Sequence, residues 1–186
     1  MFSKLISTIL ALGTSVFTNI QGVDAAFTNG LIEQRGQRVV ISSELTNCWT
    51  EEFDRILQSG QIVKITYRLE LFTENGLLPE SAISITHEIR YSALDETYTV
   101  HQSETDQNIT SSELTHAKLF MSQLKQVDFL GVADMVNDKT YYLQTSAHLN
   151  RIMLPGMSEE LNLMAYWKSI RPTFRSEPFK KADFSL

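Results

Sequence analysis

A single cysteine, Cys48, is the only thiol in this chain of 186 residues. No intramolecular disulfide can form, so the fold must hold by packing alone even in an oxidising compartment. Four prolines and eight glycines are too few for a collagenous or low-complexity chain. The glycines spell neither a phosphate-binding loop nor a dinucleotide fingerprint, and no serine sits between glycines at a strand-to-helix elbow. An excess of positive charge is missing too. Sixteen Lys and Arg stand against 22 Asp and Glu, a formal charge of -6, which disfavours nucleic acid as a partner because affinity there rests on neutralised phosphates.

The four histidines form no metal set. "HEIRY" at residues 87–91 begins like the zinc-protease helix, but Tyr91 stands where the second histidine is required, and the segment alternates like a strand. Glu113 and His116 are three apart on a predicted helix, yet carboxylate-bridged metal bundles need a second such pair. The sequence therefore implies no cofactor, no metal and no catalytic constellation. A hydrolase with an unrecognised site is the weakest of three readings.

What is present begins with the first 25 residues. One basic residue, Lys4, precedes an uncharged and mostly apolar run over residues 5–17, and Val23 and Ala25 occupy the small positions before a cleavage site. This is the pattern of a secretory signal peptide over residues 1–25, leaving one domain over residues 26–186. An uncleaved membrane anchor is the rival, although Ser7, Thr8, Gly13, Thr14 and Ser15 interrupt the run that a bilayer span requires.

In the mature part, residues 26–37 read as a polar lead-in, and Val39, Ile41 and Leu45 share a strand face. Thr50 is the expected cap of a helix bearing Phe53, Ile56 and Leu57, stopped by Ser59 and Gly60. "QIVKITYRLELF" alternates strictly, with Val63, Ile65, Tyr67, Leu69 and Leu71 on one side. Residues 81–91 repeat the pattern and residues 97–102 add a third strand, making a meander. "TSSE" reads as a capping box with Thr110 as cap, and Leu114, Ala117, Phe120, Met121 and Leu124 as the helix stripe behind it. Residues 127–136 and 140–149 read as a hairpin about Asn137 and Asp138. Beyond Pro155, "MSEELNLMAYWKS" fits either a helix or a strand.

His87 falls on the buried side of its strand, among Ile83, Ile85, Ile89 and Tyr91. The expectation is a neutral imidazole, hydrogen-bonded to a tyrosine or a main-chain carbonyl. A wall of Tyr67, His87 and Tyr141 around an apolar pocket is the functional alternative. The C-terminal stretch, residues 168–181, holds Lys168, Arg171, Arg175, Lys180 and Lys181 with one acid, interleaved with Phe174 and Phe179. It is a candidate surface for an anionic membrane or an acidic protein partner; otherwise it packs its aromatics on the domain.

Four stretches carry a family likeness: "ILQSG" running into "QIVKITYRLELF", then "IRYSALDETYTV", "SELTHAKLFMSQLKQV" and "TYYLQTSAHLNRIMLP". Their order resembles an uncharacterised bacterial family catalogued as domain of unknown function 4390, over roughly residues 39–155. The resemblance implies an exported, envelope-associated bacterial protein and brings no catalytic residue. The ending differs, since the tryptophan-rich tail of that family is reduced here to Trp167.

The expected architecture is α+β: an antiparallel sheet of five to six strands, a meander plus a hairpin, with two amphipathic helices. Its core is expected over residues 38–155, with residues 156–186 as an extension. A β-sandwich with inserted helices is the alternative, recognisable by apolar inner faces in two separate sheets. The functional expectation is a non-enzymatic envelope protein that binds a partner, or else a small-molecule or lipid carrier.

Overall fold

The computed structural model describes residues 22–154 and 157–184. The expected leader lies mostly outside the described residues. Its last four residues are described and packed: Val23 bridges Trp167 in parallel, and Ala25 is buried.

The alternating stretch forms β3 (Val63–Thr73), the hub of the larger sheet. It pairs antiparallel with β4 (Ser81–Ser92) on one side and with β8 (Thr140–Leu149) on the other. Outward from β4 follow β5 (Thr97–Gln102) and β6 (Gln107–Ser111). Outward from β8 lie two short strands in line, β11 (Thr173–Arg175) and β12 (Phe179–Lys180). All seven strands are antiparallel to their neighbours. The period-two pattern explains why this sheet has one apolar face: each buried β3 side chain contributes about 2 kcal/mol, and a one-residue slip would turn all of them to water.

A second sheet joins β1 (Ala26–Arg35), β2 (Arg38–Thr46) and β7 (Gln123–Gly131). Phe27 of β1 meets Tyr67 of β3 edge-on, with ring centroids 6.2 Å apart. Two helices, α1 (Glu51–Gln58) and α2 (Leu114–Ser122), complete the cover. Phe53, Ile56 and Leu57 of α1 join the inner residues of both sheets in one core. Gly60, at φ +84°, ends the α1 segment as the sequence suggests. The chain is thus α+β with antiparallel sheets, and both sheets turn apolar faces to a shared interior.

Several local expectations are corrected. The lead-in is itself a strand, β1, joined to β2 by a tight turn in which Gly36 adopts φ +60°. Residues 127–136 and 140–149 do not form a hairpin, because β7 pairs with β2 in the smaller sheet while β8 pairs with β3. Thr110 does not cap α2: it belongs to β6, and Glu113 holds the cap position. Among the described residues beyond Pro155 there is neither a long helix nor a long strand. Leu161–Asn162 (β10) pairs with Arg151–Ile152 (β9), a 3-10 turn, Leu163–Tyr166, follows, and another, Lys181–Asp183, comes near the end. The larger sheet exceeds five to six strands because β6, β11 and β12 were too short or too polar to read as strands. No described helix is long and apolar enough to cross a membrane.

Candidate functional site

The C-terminal end of α2 is the place where polar side chains converge. A helix leaves its last carbonyls without intrahelical donors, and α2 ends without glycine, running straight into β7. Three side chains from three adjacent strands supply the missing donors. The Tyr67 hydroxyl of β3 donates to the Met121 carbonyl at 2.7 Å, and His87 Nδ1 of β4 donates to the same oxygen at 2.9 Å. Gln102 Nε2 of β5 donates to the Phe120 carbonyl at 2.9 Å. The Tyr67 and His87 rings meet edge-on, 5.2 Å between centroids.

Glu104, in the β5–β6 turn, closes the cluster. Its Oε1 lies 2.9 Å from His87 Nε2. A carbonyl faces one ring nitrogen, so Nδ1 carries the proton that it donates there, and the Glu104 carboxyl faces the other. The main-chain carbonyl partner is as expected from sequence, and the carboxyl partner is not. Burial opposes ionisation of Glu104, but the hydrogen bond and charge of His87, with help from its own backbone N–H and His101, hold its carboxyl below the ordinary range. Burial pushes the Tyr67 hydroxyl far above its ordinary value, which keeps it a donor.

Tyrosine, histidine and glutamate are the parts of a general acid-base device, yet a general base must reach its substrate. Tyr67 and His87 are both 0% exposed, and every polar ring atom is spent on a protein partner. Tyr141, the third residue of the suggested wall, lies elsewhere. It is paired with Thr73 near the other end of β3, its hydroxyl accepts the Val136 N–H at 3.0 Å, and its ring packs toward Phe179. Among the described residues no group of three His, Cys, Asp or Glu gathers as a metal site. Glu113 and His116 meet at 3.5 Å on an exposed helix surface. Cys48 is buried and its thiol is pushed up to about 12 by burial, which is the environment of an inert thiol.

The C-terminal stretch packs on the domain. Phe174 lies so close under Gly30 of β1 that a Cβ there would overlap its ring. Arg175 stacks over the Tyr142 ring at 3.4 Å, Lys168 pairs with Asp24 at 3.0 Å, and Lys181 donates to the Met135 carbonyl at 2.9 Å. Arg171 and Lys180 are exposed. Between this stretch and β1 opens a cleft of about 490 Å³, walled by Ile32, Phe174, Pro178, Phe179 and Phe184. A second, of about 490 Å³, lies on the far side of Phe184 beside Val132 and Lys181.

Sequence reasoning missed Gln102 and Glu104. Gln102 carried the same signal as His87, a polar residue at an inward position of a strand whose other inward residues are Tyr98 and Val100. Glu104 sits in a turn and gave no signal.

The two larger antiparallel sheets around one core, with Tyr67 and His87 buried between sheet and helix, define an α+β domain. The chain belongs to the family described as Domain of unknown function (DUF4390), whose profile matches residues 24–171. The match extends to both sides of the stretch read from sequence. No curated protein and no solved structure matches the chain.

Proposed function

We propose that the protein is a non-enzymatic binding module that acts in the bacterial cell envelope after export. The observation that carries this reading is the burial of Tyr67 and His87: the residues best suited to chemistry hold a helix to a sheet, with every polar ring atom spent on a protein partner. What the domain leaves open are recognition features, the aromatic cleft beside β1 and the unpaired outer edge of β6. A strand edge accepts an extended partner through main-chain hydrogen bonds. A photo-crosslinking residue placed at Thr110 on β6, or at Ser176 on the cleft rim, is expected to capture a discrete envelope protein or lipid in living cells. Absence of any adduct at both positions would overturn the reading.

A carrier of small apolar molecules is the second reading, favoured by the cleft itself. Its volume lies in the range of ligand sites, about 300–1,000 Å³, and Phe174, Phe179 and Phe184 with Ile32 and Pro178 supply its apolar wall, beside the charged Arg175, Glu177 and Asp183. Native mass spectrometry of protein isolated from its own cells would then show a bound mass that Phe179→Ala removes. Ligand-free protein would leave the protein-binding reading alone.

A further inference from the structure

The outer face of the seven-stranded sheet carries the opposite charge to the rest of the chain. Strand alternation puts Lys64 and Arg68 of β3, Arg90 of β4, Arg175 of β11 and Lys180 of β12 on this side. Only two carboxylates join them on the strands, Glu70 and Glu88, which pair with Arg68 and Lys64. The excess is therefore borne by Arg90, Arg175 and Lys180. Arg171 adds to it near His148, whose titration burial and that guanidinium together lower. Asp106, 3.9 Å from His101, is an acid at the rim, and the connections at the two ends of β4 carry Glu74, Glu80, Asp95 and Glu96. Against a formal charge of -6 for the whole chain, this is a segregated positive face.

Its remaining groups are mostly polar, with the stacked Phe72 and Tyr142 rings at the β8 side and His101, Asn108, Gln144 and His148 among them. Thr66, Thr86 and Thr99 form the middle of the face, with Ser84 and Thr110 beside them, and no Val, Ile, Leu or Met of these strands points this way. A sheet with an uncovered polar face is common; one whose charges are cationic on an acidic protein calls for an anionic partner. Strand spacing of about 4.8 Å makes the face about 24 Å wide, and its cations are spread over it singly, not gathered in a pocket. A spread of this kind suits a plane of phosphates more than a single small anion. Bare leucines stand at both ends: Leu77 and Leu78, 96% and 79% exposed, in the β3–β4 connection, and Leu94, 92% exposed, in the β4–β5 turn. Apolar tips beside a cationic face favour the interface of a bilayer, where both are stabilised.

We infer that this face docks on an anionic phospholipid bilayer, with hydroxyls and cations toward the headgroup phosphates and the leucine tips at the margins. The inference deepens the binding-module reading by naming its surface and its partner. The test uses protein isolated from its own cells, so that every variant carries the same N-terminus, and vesicles of phosphatidylcholine with or without phosphatidylglycerol. Sedimentation should show binding only to the phosphatidylglycerol vesicles, weakening as salt rises. Arg90→Glu with Lys180→Glu should lower that binding by about tenfold or more, while Arg35→Glu with Arg151→Glu, the same charge change away from this face, should leave it within about twofold. Equal loss from both pairs, equal binding to neutral vesicles, or no binding would each overturn the lipid face. A protein adduct in the cellular crosslinking together with indifference to vesicles would overturn this inference and leave the binding-module reading standing.

Discussion

Tyr67 and His87 donate to one and the same oxygen, the main-chain carbonyl of Met121. The two residues are diagonal neighbours across β3 and β4, with Tyr67 registered against Ile85 and His87 against Ile65. A helix that ends without a glycine cap is thus tied to the sheet by side chains, and the tie is charged through Glu104.

His87→Leu should destabilise the domain by about 3 kcal/mol, because it leaves the Glu104 charge half-sealed with no partner and removes one donor from Met121. Glu104→Gln keeps an acceptor for Nε2 and should cost less, about 1 kcal/mol. Urea unfolding of the two variants gives the comparison. A variant of His87 that kept its stability but lost its cellular role would show the cluster to be functional.

Acid should expose the same pair from another side. The folded carboxyl of Glu104 titrates below its ordinary range, so its contribution is complete above about pH 4.3, the unfolded value, and is lost as pH falls through the depressed folded value. The stability gap between wild type and His87→Gln should therefore narrow as pH is lowered from about 6 to about 3. A gap that stays constant over that window would mean the His87–Glu104 pair contributes nothing.

How the chain is trimmed has a measurable consequence. Val23 donates to the Tyr166 carbonyl and accepts from Lys168 N–H, both at 2.9 Å, while Asp24 pairs with the Lys168 side chain. Scission after Ala25 removes these contacts and the buried Ala25 side chain. Protein starting at Ala26 should be less stable than protein starting at Gly22 by about 1–2 kcal/mol, as read by thermal unfolding of the two forms.

Cys48 should resist a thiol reagent at pH 8 in the folded protein and react at once in denaturant, since its thiol is buried and its ionisation is pushed up to about 12. Trp167 Nε1 donates to the Cys48 carbonyl at 2.9 Å, not to the sulfur. Cys48→Ala should therefore leave the tryptophan fluorescence of the native state unchanged.

Gly30→Ala bears on the cleft. The added methyl overlaps the Phe174 ring, so the ring must move or β1 must lift away from β11. A loss of about 1–3 kcal/mol follows from overpacking of this kind, and binding of any apolar cleft ligand should change with it.

The parts of this fold legible in the sequence are those where one periodicity ran unbroken. β3 alternates from Val63 to Leu71 and β4 from Ile83 to Tyr91, and α1 has its apolar stripe and its glycine stop. β1 was not legible because its pattern is mostly exposed and shifts register between Thr28 and Leu31. β7 could not be assigned to its sheet because pairing with β2 is a long-range choice that local pattern does not encode. In the polar cluster, His87 announced itself as a polar residue on an apolar face. Its real partners, a carbonyl at the end of α2 and a carboxylate in a turn, are brought to it by tertiary structure alone.

The central place of β3 also bears on time. It lies between β4, which follows it at once, and β8, which is made far later, and the bridge from Val23 to Trp167 spans nearly the whole domain. A chain emerging from its N-terminus can therefore close the β3–β4 pair early, but it must hold the other edge of β3 unpaired until β8 arrives. Such non-local closure makes folding slow. The long, bare edge of β3 in the interval is where an unfinished chain would meet a second one, and it is the point a chaperone of the compartment would be expected to cover.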